Sequence, residues 1–99
     1  MSISNLIQQV YSLRSLAVNL NLSKSISKTL QEKIKWLTNK EDSEYEFKPK
    51  DFMQLYRELG EIAESLVGSK NECWNDDFTP FCSQVERVQL LLLQMSTDL

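Results

Sequence analysis

Ninety-nine residues suffice for one core and not two, and 41% hydrophobic with 25% charged residues is the balance of a globular chain, not a disordered one. Two Gly and two Pro are too few for the turns of an all-β sandwich or barrel, so helices are expected. A net charge of −3 excludes the dense Lys and Arg footprint of direct nucleic-acid binding.

That charge is unevenly spread. Residues 1–39 hold five basic side chains against the single Glu32, whereas residues 40–99 hold six basic and thirteen acidic ones. Attraction between the halves inside one bundle is the simplest use of this polarity, and binding of a partner is the other. The first basic residue is Arg14 and the early segment is broken by Gln8, Gln9 and Ser12, so no secretory signal is read. Cys73 and Cys82 are therefore expected as reduced thiols in a cytoplasm. The longest apolar run is the four leucines Leu90, Leu91, Leu92 and Leu93, far short of the about 20 residues that cross a membrane.

In chain order, Ile3, Leu6, Ile7, Val10, Leu13, Ala17 and Leu20 keep helical spacing, with Ser2 or Ser4 as the cap. Arg14 falls on that apolar face, where its stem can lie along the core edge or its charge can meet a carboxylate. Asn19, Asn21 and Ser23 interrupt the rhythm and favour a helix end and a new cap. Ile26, Leu30, Ile34 and Leu37 form a second stripe, with Lys24, Lys28 and Lys35 on the opposite side. Thr29 with Glu32 offers a capping box as an alternative, later start.

Residues 39–50 read as a polar, acidic loop ended by Pro49. Tyr45 and Phe47 alternate within it and would share one side of an extended segment. They either tuck against the bundle as a lid or stand out as an anchor for another protein. Asp51 is placed as the cap of the next helix, with Gln54 as its reciprocal partner.

The stretch 51–67 is the clearest amphipathic pattern: Phe52, Leu55, Leu59, Ile62 and Leu66 lie in one stripe, and Arg57, Glu58, Glu61 and Glu64 on the other side. Gly68 ends it. The following connection clusters Cys73, Trp74, Asp76 and Asp77, without the Gly and Glu register of an EF-hand loop. Thr79 and Pro80 start a last helix, whose stripe is Phe81, Val85, Val88, Leu92, Met95 and Leu99. Cys82 sits in its first turn, where the helix dipole would lower a thiol pKa. Four consecutive leucines cannot all face one core. Leu90 falls between Glu86 and Arg87, and Leu93 beside Glu86, on what should be the polar face.

The fold expected is all-α: one domain over 1–99, an antiparallel four-helix bundle with helices near 4–20, 24–38, 52–67 and 80–96. No His is present to act as general base or zinc ligand, two Cys cannot hold a zinc alone, and no Gly-rich loop cradles phosphate. No enzyme, metal or cofactor is expected. The function expected is a protein-binding module, an adaptor or inhibitor that covers part of a larger protein, and a composition heavy in Ser, Leu, Asn and Lys suits a phage or mobile-element product. Its contact residues are taken as Tyr45, Phe47, Glu58, Glu61, Glu64, Glu86, Leu90 and Leu93. The alternatives are a self-assembling subunit, a homodimer in its simplest form, and an acidic mimic of nucleic acid that blocks a basic groove.

Overall fold

The computed structural model describes residues 3–68 and 78–98, which form four helices: α1 (Ile3–Asn19), α2 (Lys24–Asp42), α3 (Pro49–Gly68) and α4 (Thr79–Asp98). Cys73, Trp74, Asp76 and Asp77 lie outside the described residues. The apolar stripes meet as the spacing requires. Leu6, Val10, Leu13 and Ala17 of α1, Leu30, Ile34 and Leu37 of α2, Phe52, Leu55, Leu59 and Leu66 of α3, and Phe81, Val85, Val88, Leu92 and Met95 of α4 are buried together in one core. The result is an antiparallel four-helix bundle with a long dimension of 44 Å.

Each of the first two helices ends by the same device. Leu22 N–H donates to the Ala17 carbonyl at 3.0 Å and Asn21 N–H to that of Val18 at 3.1 Å, with Asn21 in the left-handed region at φ 57°. In α2, Tyr45 N–H donates to the Lys40 carbonyl at 2.9 Å and Glu44 N–H to that of Glu41 at 3.1 Å, again with φ 57° at Glu44. Residues 39–42, read from sequence as the start of a loop, therefore belong to α2, and the connection is only 43–48. Lys and Glu are good helix formers and nothing among these four residues breaks a helix, so polarity alone marked the boundary wrongly. The later start at Thr29 is likewise not used, since α2 begins at Lys24.

Capping differs from expectation in three places. Ser4 lies inside α1 and donates to Glu41 Oε2 at 3.0 Å, joining the start of α1 to the end of α2. Ser23 holds the N-cap position, yet its hydroxyl meets Ser25 Oγ at 2.8 Å and bonds no backbone N–H. Asp51 is the third helical residue of α3, not its cap: Pro49 comes first, and the Asp51 carboxylate accepts from Lys48 N–H at 2.9 Å. A Pro with its donor missing fits the first helical position, and a carboxylate reaching back from the third fills the remaining bond.

Within the bundle α1 packs on α2 and α4, and α3 packs on α4. The α2/α3 seam is looser and is bridged by side chains, among them the Lys33 to Glu58 salt bridge at 2.6 Å. At the α1/α4 seam the buried Gln84 donates to Gln9 Oε1 at 2.7 Å. This amide pair sits in an otherwise apolar contact and fixes one axial register, because sliding either helix would leave a buried amide unpaired. Arg14 is half-buried at the core edge.

Candidate functional site

The α3/α4 seam forms a groove with a volume of about 790 Å³. Its floor comes from Gly60 and Ala63 of α3 and Val85 and Cys82 of α4, and its rim bears Glu61, Glu64, Glu86 and Arg57. Gly60 leaves room for the Gln89 amide: a Cβ there would stand 3.0 Å from Gln89 Nε2, and that amide donates to the Tyr56 carbonyl at 3.0 Å. The groove is thus an apolar trough with three exposed carboxylates against one guanidinium along its edge.

The leucine run continues this face. Leu92 is fully buried and Leu91 packs against the core, whereas Leu90 is 62% exposed and Leu93 36%. Helix rotation of about 100° per residue turns Leu90 and Leu93 to the same outer flank as Glu86. Gln89 lies against Tyr56 and Gly60, so in antiparallel register the next turn of α4, with Leu93, runs beside the preceding turn of α3, with the exposed Met53. Of the residues singled out from sequence, Glu61, Glu64, Glu86, Leu90 and Leu93 are therefore brought to one face.

The other three are placed elsewhere. Tyr45 and Phe47 are half-buried and fold back as a lid on the α2/α3 end of the bundle. Phe47 stacks on Phe52 with centroids 5.5 Å apart, meets Trp36 edge-on at 6.0 Å and Tyr45 edge-on at 5.1 Å. Tyr45 donates its hydroxyl to Asp51 Oδ2 at 3.0 Å, and Lys40 Nζ lies 4.4 Å from its ring centre. That hydrogen bond, then burial, then the Asp51 charge push the Tyr45 phenol above its ordinary pKa. Glu58 does not share the solvated side with Glu61 and Glu64, because it is half-buried and paired to Lys33.

Cys82 is a free thiol, half-buried in the groove. Burial raises its pKa, and the Glu86 carboxylate raises it further. The shift runs opposite to the lowering expected from the helix terminus, since desolvation and a nearby negative charge both disfavour the thiolate. The residue lines the groove with its thiol held toward the protonated form.

Sequence reading passed over four exposed apolar residues: Tyr11, Val18, Trp36 and Met53. Each lies off its helix's apolar stripe, and that displacement was the available signal. Trp36 borders a second groove of about 590 Å³ between α2 and α3, floored by Leu55 and edged by Lys33, Lys50, Asp51 and Glu58. Among the described residues no helix is long and apolar enough to cross a membrane. No family model, curated protein or solved structure matches this chain. The surface chemistry is thus the ground for a functional reading: the α3/α4 face offers hydrophobic area flanked by negative charge, a combination suited to recognition.

Proposed function

We propose that the protein is a small binding module, acting as an adaptor or inhibitor by laying its α3/α4 face on a larger protein, and that it is not an enzyme. The observation that carries this reading is the exposure of Leu90 and Leu93 beside a groove, on a helix whose core side is already filled by Phe81, Val85, Val88, Leu92 and Met95. Large apolar side chains grouped outside a complete core gain free energy only when another surface covers them. The carboxylates of Glu61, Glu64 and Glu86 at the rim select a partner with basic residues around an apolar centre, because like charge opposite them would be repelled.

The test is capture from a lysate of the source cell by wild type and by Leu90→Glu with Leu93→Glu. The double variant should keep its far-ultraviolet helical signal and lose the captured protein. Equal capture by both chains would remove the α3/α4 face from the function.

A further inference from the structure

The partner chemistry just described is present on the chain itself, at the opposite face of the bundle. Lys24, Lys28 and Lys35 are exposed along α2. In the antiparallel register marked by the Ser4 to Glu41 contact, Tyr11 and Val18 of α1 fall within one residue of the levels of Lys35 and Lys28. Those two side chains are 45% and 57% exposed. The α1/α2 face thus carries three exposed lysines, with Glu32 between two of them, next to two exposed apolar side chains, and this combination complements the exposed carboxylates and leucines of the α3/α4 face.

The charge is not spent inside the molecule. Lys33 to Glu58 is the only salt bridge among the described residues, so Lys24, Lys28 and Lys35 on the one face and Glu61, Glu64 and Glu86 on the other are exposed without a salt-bridge partner there. We propose that a second copy of the chain is a ligand of the α3/α4 face, received through its α1/α2 face. This inference rests on that face being the docking surface. The two faces differ and lie on opposite sides, so the contact is head-to-tail, and every assembly keeps one free face of each kind, at its two ends. Association then runs on to short open stacks instead of closing at a dimer. Each face is only two helices wide, so the contact is weak and its charged part is screened by salt. A larger protein that binds the α3/α4 face competes with the stacking.

Sedimentation of the purified full chain over a range of protein and salt concentrations tests this, together with two charge-reversed variants: Lys24→Glu/Lys28→Glu/Lys35→Glu and Glu61→Lys/Glu64→Lys/Glu86→Lys. All six positions are exposed, and far-ultraviolet circular dichroism checks that both variants fold. Wild type should show an average mass that rises at least about twofold with concentration, passes the dimer, and falls on adding salt. Each variant alone should stay monomeric, since its two faces then have the same sign. Mixed one to one they should associate, because each supplies the face that the other needs. A wild type that stays monomeric at every concentration, or that stops at a dimer insensitive to both reversals, overturns the inference. Capture of a different protein that depends on Leu90 and Leu93 would survive that result, so failure here is distinguishable from failure of the binding-module reading.

Discussion

Glu44 occupies the left-handed position that closes α2, where a side chain with a Cβ is strained. Replacing it with Gly removes that strain, and Glu44→Gly should stabilise the fold by about 0.5–1 kcal/mol in urea unfolding, despite the greater freedom of the unfolded chain. The same position explains why the end of α2 was not legible. Asn21 announces the end of α1 because Asn tolerates this conformation, whereas Glu at the equivalent place gives no such sign. Tyr45 supplies a second test at this scale. Its phenol is more readily protonated folded than unfolded, so the stability from its bond to Asp51 is complete below about pH 10 and is lost as pH rises through the raised folded value. Wild type should therefore lose stability more steeply above about pH 10 than Tyr45→Phe, with the difference read from urea midpoints at several pH values. Equal slopes would mean that the hydroxyl does not hold Asp51 in solution.

At the scale of elements, the four helices could be read from sequence because each has an apolar stripe at helical spacing, whose residues are buried except for Ile3, Ile7, Leu20, Ile26 and Ile62, which pack half-buried against the core, and Leu99, which lies outside the described residues. What could not be read is what lies at the seams. Whether Glu58 meets solvent or Lys33 depends on the rotation of α3 against α2, which periodicity within one helix does not contain. The fold-back of Tyr45 and Phe47 depends likewise on where Trp36 and Phe52 arrive. The α3/α4 seam rests on Gly60 and the Gln89 amide, which would meet an added Cβ at 3.0 Å. Gly60→Ala in wild type should be nearly neutral, because the helix-propensity gain is offset by displacing that amide from the Tyr56 carbonyl. In a Gln89→Ala background the same substitution should stabilise by about 1 kcal/mol, since only the propensity gain remains. Thermal unfolding of the four chains reads the coupling, and a Gly60→Ala effect equal in both backgrounds would mean that the helices do not approach so closely.

For the whole molecule, composition and periodicity led to the bundle, and the leucine run pointed to a face that the core does not use. Polarity of charge along the chain was visible as well. The placement of Lys24, Lys28 and Lys35 across the bundle from Glu61, Glu64 and Glu86 was not, because that follows from the order in which the helices pack. Docking and folding are linked on this account: association of folded chains raises apparent stability, and losing the α3/α4 leucines should remove that gain without touching the core. The most direct measurement is thermal unfolding of wild type and of Leu90→Glu with Leu93→Glu, each over a range of protein concentrations. Wild type should melt at a temperature that climbs with concentration, and the double variant at one constant temperature, close to the wild-type value in dilute solution. A double variant that melts far below dilute wild type, as expected on losing core leucines, would contradict the account by placing Leu90 and Leu93 in the core.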